Sequence, residues 1–112
     1  MKAYAIANLQ HLDMGPPIVE YLQRVDATLE PFGGRFLVHG GAKTVLEGKL
    51  PGFPIVVEFP DIDHARGWYA SRAYQDILHL RTDNSEGVAV LVEGVGPNHK
   101  ATDVLHPPSG GS

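Results

Sequence analysis

Apolar residues recur along this chain with two alternating periods. Tyr4, Ile6 and Leu9, set among alanines, mark a first strand over residues 2–9 that is moderately apolar on both faces. Asp13-Met14-Gly15-Pro16-Pro17 marks a helix start, where the missing N–H of proline costs nothing. From about Pro17 to Glu30, Ile18, Leu22, Val25 and Leu29 recur at helical spacing and form one apolar stripe. Glu20 and Arg24 can pair on the wet side. Pro31 discourages continuation, and Gly33-Gly34 offer the left-handed conformations that end a helix.

Arg35 to His39 reads as a second strand, interrupted by Gly40-Gly41 and resumed from Lys43 to Glu47. The glycines form either a hairpin turn or a bulge in one long strand, and the bent strand is the favoured expectation. Leu50 to Pro54 is a connection. Ile55 to Phe59 is the strongest strand, with Ile55, Val57 and Phe59 on one face and Val56 and Glu58 on the other. Pro60 ends it, and Asp61 is placed to cap the next helix. Ile62, Ala65, Trp68 and Tyr69 follow at helical spacing. A break at Ala70-Ser71 lets Ser71 cap a second piece carrying Tyr74, Ile77 and Leu78. Val88 to Val92 is a last strand, apolar enough to have both faces covered.

Strand, helix, strand, strand, helix, strand is the split βαβ pattern. It predicts an α+β, ferredoxin-like βαββαβ fold with an antiparallel sheet and its helices on one face. Val56, the alternating residues of the last strand and the alanines of the first make the opposite face apolar too. A second copy of the same sheet is the expected cover, giving a homodimer around a shared interior. Residues 1–95 form the expected domain. Residues 96–112, rich in Pro and Gly, read as a tail outside the core, in which His99 and His106 are isolated.

Composition narrows the functional classes. Nine basic against thirteen acidic residues give a net charge of −4 and no basic run, which argues against a nucleic-acid or anionic-membrane surface. The chain has no cysteine, so disulfides, thiol catalysis and iron–sulfur clusters are excluded. That, with no signal-peptide pattern and no membrane-spanning run, fits a cytoplasmic protein.

The segments Phe32–Gly41, Val45–Gly48, Val56–Pro60, Trp68–Gln75, Leu80-Arg81 and Val90–Val95 resemble the uncharacterised bacterial family called domain of unknown function 1330. The resemblance covers roughly residues 2–95. It implies a ferredoxin-like fold of the dimeric α+β barrel superfamily. That superfamily includes cofactor-free monooxygenases, muconolactone isomerases, haem-handling enzymes and proteins with no known activity, so fold is narrowed more than function.

Candidate chemistry gathers where the second helix breaks. Trp68, Tyr69 and Tyr74 lie close to Arg72 and Arg81 in sequence and suggest a pocket wall. Arg35, Arg72 and Arg81 are each either a guanidinium that grips a carboxylate or enolate, or a surface charge paired with an acid. Arg35 and Arg81, which fall in motifs of the resembled family, are the expected substrate-binding arginines. Glu47 is a candidate general base or a turn carboxylate. His39 is a candidate proton carrier beside flexible glycines, whereas His64 reads as an exposed helix residue. Tyr74 and Ser71 are candidate hydroxyl contacts. Trp68 is a candidate stacking surface, although aromatics at helical spacing are commonly plain core. No metal-ligand spacing occurs, and no histidine stands in an axial position for haem. Ser71, Asp76 and His79 share one short helical piece without a nucleophile elbow, so a triad is rejected. The expectation is a small-molecule-binding homodimer without cofactor or metal. It is either an acid–base enzyme on a small organic acid or cyclic ketone-like metabolite, resembling isomerases or monooxygenases, or a non-catalytic ligand-binding or stress-associated module.

Overall fold

Alternation along the first strand sorts the sheet into two faces. The structure, a computed structural model, describes residues 1–105. β1 (Ala3–Gln10) pairs antiparallel on one side with β3 (Phe53–Phe59) and on the other with β4 (Glu86–Glu93), while β2 (Arg35–His39) adds to the outer edge of β3. The order is β2-β3-β1-β4. Residues directly opposite across a ladder share a face. Ala3, Ala5 and Ala7 therefore stand beside Phe59, Val57 and Ile55 of β3, and Ala5 and Ala7 beside Leu91 and Ala89 of β4.

This face carries the helices. Val25 and Leu29 of α1 (Pro16–Leu29), Trp68 of α2 (Ile62–Ala70) and Tyr74 and Ile77 of α3 (Arg72–Thr82) join Ala3, Val57 and Phe59 in one buried core. Pro16 and Pro17 open α1, as the sequence requires. Asp61 caps α2 by accepting from the His64 N–H at 2.8 Å. Ser71 alone separates α2 from α3: its backbone is extended, its Oγ accepts from the Tyr74 N–H at 3.3 Å, and the same hydroxyl donates to the Trp68 carbonyl at 2.7 Å. The result is the ferredoxin-like βαββαβ arrangement with its second helix broken in two.

Two expectations are corrected. Lys43 to Glu47 does not resume a strand. The Gly40 N–H donates to the Pro54 carbonyl at 2.9 Å and closes the β2–β3 ladder, and Gly40, at φ +66°, turns the chain away. The following loop is tied by Lys43, whose ammonium donates to the carbonyls of Leu50 and Gly52. β3 in turn starts two residues early, at Phe53. The bend anticipated in this region lies instead within β2, as an irregularity between Phe36 and Val38.

The opposite sheet face presents Ile6, Val56, Val88, Val90 and Val92. Val88, Val90 and Val92 remain 67%, 54% and 43% exposed in the single chain. Beyond β4, residues 101–105 form a short exposed 3-10 helix. Residues 106–112 of the expected tail, including His106, lie outside the described residues. No helix among the described residues is long and apolar enough to cross a membrane.

Candidate functional site

Three small residues make room for a cavity. Ala5, Ala7 and Ala89 meet on the helix-facing side of the sheet, where larger side chains would reach the helices. Above them lies a partly enclosed space of about 390 Å³, within the usual range for small-molecule sites. Ile55, Val57 and Leu91 extend its floor, Phe36 and His39 bound it from β2, and Val25 and Tyr21 from α1. Trp68, Tyr69, Tyr74 and Arg81 close it from α2 and α3.

The lining is mostly apolar, and apart from His39 and Tyr69 its polar side chains form one connected group. The Tyr74 ring is 2% exposed and packs on Trp68, with ring centres 4.1 Å apart. Its hydroxyl shares a 2.8 Å hydrogen bond with the Tyr21 hydroxyl and receives a long one, 3.5 Å, from Arg81 Nη2. The Arg81 guanidinium also lies over the Tyr21 ring, 5.9 Å from its centre. No carboxylate pairs with Arg81 among the described residues. Burial works against its charge, but the Tyr74 and Tyr21 oxygens offset this and hold the guanidinium above its ordinary pKa. Tyr21 is pushed far up, first by burial and then by Tyr74 beside it, despite the opposing pull of Arg81. It is a hydrogen-bond donor, not a base, at any physiological pH.

The candidates from the sequence are sorted by this geometry. Tyr74, Arg81, Trp68 and His39 line the cavity. His39 stacks on Phe36, ring centres 4.3 Å apart and nearly parallel, at the exposed rim. Trp68 Nε1–H is already used, donating to Thr28 Oγ1 at 3.0 Å while that hydroxyl donates to the Val25 carbonyl, so its contribution here is its ring. Ser71 caps α3 and orients Tyr74 without reaching the lining. Arg35 lies across from Glu58 on β3 and bonds its Oε1 at 3.1 Å, outside the cavity. Glu47 is exposed in the loop between β2 and β3, also outside it. Arg72 is exposed, 4.0 Å from Asp76. Tyr21, half-buried, and Thr28, buried, both on α1, escaped the sequence reading. No cluster of three or more metal-binding side chains occurs among the described residues.

Residues 2–95 match the family model described as domain of unknown function (DUF1330). The chain belongs to this family. Among solved structures, it is similar to the RPA0582 protein of unknown function from Rhodopseudomonas palustris. The TM-score is 0.64 at 13% identity, over 86% of this chain and 84% of that one. It is also similar to an asparagine-to-alanine mutant of SnoaB, a cofactor-independent oxygenase from Streptomyces nogalater, with a TM-score of 0.57 at 14% identity over 88% and 98% of the two chains. At these identities the likeness is one of fold. No curated protein matches the sequence. Within this DUF1330 domain, the Trp68–Gln75 segment that carried the resemblance supplies the aromatic wall of the cavity, and Leu80-Arg81 supplies its cation.

Proposed function

We propose that this DUF1330 protein binds a small organic molecule between its sheet and helices, as a homodimer. In this reading it acts on that molecule by acid–base chemistry without a bound cofactor. The observation that carries the reading is a cavity left open by its own side chains, with a cation, Arg81, that no acid among the described residues neutralises. A half-buried charge among apolar walls favours a ligand that brings the opposite charge or a strongly polar oxygen. A small acid or a cyclic ketone-like compound meets that demand. Arg81 and Tyr74 orient it, Trp68 stacks on it, Ser71 holds Tyr74 in place, and His39 at the rim moves a proton. Arg35 and Glu47 stand outside the cavity of the single chain, so orientation and proton transfer fall to Arg81 and His39. SnoaB, similar in fold, is a cofactor-independent oxygenase, so a reaction without a bound cofactor has a precedent on this fold.

A second reading, a non-catalytic binding module, is favoured by one observation: no carboxylate lines the cavity. Both readings share a test. Trp68 is the one tryptophan of the chain and lines the cavity, so its fluorescence reports occupancy. Native mass spectrometry of the purified protein is expected to show a dimer carrying a retained small molecule. Fluorescence titration of Arg81→Met with aromatic acids is expected to show an affinity loss of about tenfold or more, as for removal of a charged hydrogen bond. A bare protein whose tryptophan emission responds to no aromatic acid or ketone would remove both readings.

A further inference from the structure

The direction of the hydrogen-bond chain beside the cavity can be worked out from its members. A guanidinium has donors only, so the Tyr74 oxygen accepts from Arg81. Tyr74 is buried, and its own hydrogen needs an acceptor. The partner in reach is Tyr21 Oη, at 2.8 Å. The Tyr21 oxygen therefore accepts, and its hydrogen is left over. Tyr21 lines the cavity, and that remaining O–H is available to it. The charge on Arg81 polarises Tyr74, Tyr74 polarises Tyr21, and the chain ends in a strengthened donor.

Resting on the cavity as the ligand site, we infer that Tyr21 Oη–H is the donor that receives an oxyanion there. The ligand is a planar, largely apolar molecule carrying a single phenolate- or enolate-type oxygen. One terminal hydroxyl suits one anionic oxygen, and Arg81, turned toward the tyrosines, strengthens it as a donor. The walls specify the rest. A floor of Ala5, Ala7 and Ala89 faces the Trp68 ring and the parallel Phe36–His39 pair, which leaves room for a flat body with little to hydrogen-bond. Tyr21 has a firm phenolic proton, so it stabilises charge on the ligand without giving the proton up.

The probe is para-nitrophenol, whose phenolate is read by its visible absorbance, with para-nitroanisole as the neutral molecule of the same shape. Both are titrated against the full chain, with Trp68 fluorescence as a second readout. The wild type is expected to prefer the phenolate and to lower the pKa of the bound phenol. Tyr21→Phe is expected to lose about tenfold of that preference, with anisole affinity unchanged. Tyr74→Phe, which keeps the Tyr21 hydroxyl and its direct contact with Arg81 but removes the hydrogen bond from Tyr74, is expected to lose about threefold. Undiminished phenolate preference in both variants would overturn the role of Tyr21 while leaving the cavity as a site. Equal binding of the two probes by the wild type would overturn the oxyanion assignment. Failure of both probes to bind would overturn the cavity reading and this inference with it.

Discussion

Glu58 sits on the outer face of the sheet, with Lys2 Nζ and Arg35 Nε each 3.1 Å from its Oε1. The Lys2 hydrogen bond, and then that of Arg35, hold its carboxyl below the ordinary value against the opposing effect of burial. The folded pKa thus lies below the unfolded one. Its stabilisation is present above the unfolded carboxyl pKa and is lost as pH falls through the folded value. Glu58→Gln is expected to lower stability at neutral pH and to flatten the acid side of the stability curve. Urea midpoints measured from neutral pH down through the carboxylate range check this; an acid limb as steep as the wild type's would mean that other carboxyls carry it. Individual side chains were unevenly legible in the sequence. Tyr74, Trp68 and His39 could be picked from local pattern because they flank the helix break and a strand end, and Arg81 from its place in a motif of the resembled family. Tyr21 could not be singled out as chemical. It lies three residues after Ile18 and four before Val25, and an aromatic in such a stripe reads as core. Its importance comes from Tyr74, 53 positions away, which no local pattern reveals.

Elements were more legible, because each is fixed by short-range rules. The proline start of α1, the Asp61 cap and the Ser71 break follow from local hydrogen bonding. The segment after Gly40 was misread for a reason of partnership. Residues 43–47 are apolar enough for a strand, but β3 has no further length there to pair with, and the lysine in the segment binds loop carbonyls instead. A strand needs a neighbour, and sequence pattern alone does not supply one. At the far edge of the sheet the constraint is closer still. Gly87, the second residue of β4, has φ +149°, and a Cβ placed there would come within 2.0 Å of the Asn8 carbonyl oxygen on β1. Gly87→Ala is therefore expected to break the β1–β4 ladder at this end and to cost about 1–3 kcal/mol. Urea unfolding gives the magnitude. Hydrogen exchange gives the location, with protection expected to fall in Asn8–Gln10 and Glu86–Val88 and to hold at the other end of the ladder. Unchanged protection at Asn8–Gln10 would mean that the strand shifts to absorb the methyl group.

At the scale of the whole molecule, one sheet face is covered by helices and the other is not. Among the described residues nothing covers Val88, Val90 and Val92 on that second face. Ile6, Val56, Val88, Val90 and Val92 form an apolar surface, beside which Glu58 is buried between the exposed Lys2 and Arg35. A second copy presents the same apolar surface, and two twisted sheets packed face to face would cover both at once, which is why the proposal names a homodimer. Val88 is the residue to change. It is the most exposed of the three valines, so an aspartate there meets water in a single chain and costs it little. It does not line the cavity, so the site is spared. In the dimer the same carboxylate would be buried twice, once from each copy, without a partner. Val88→Asp is expected to raise the dimer dissociation constant about a hundredfold or more. Sedimentation over a concentration series should then show a folded monomer with an unchanged far-ultraviolet spectrum. A wild type that sediments as a monomer would remove the homodimer from the proposal. A variant that stays dimeric would move the interface to the helices or to the loop between β2 and β3, where Leu46 is 88% exposed.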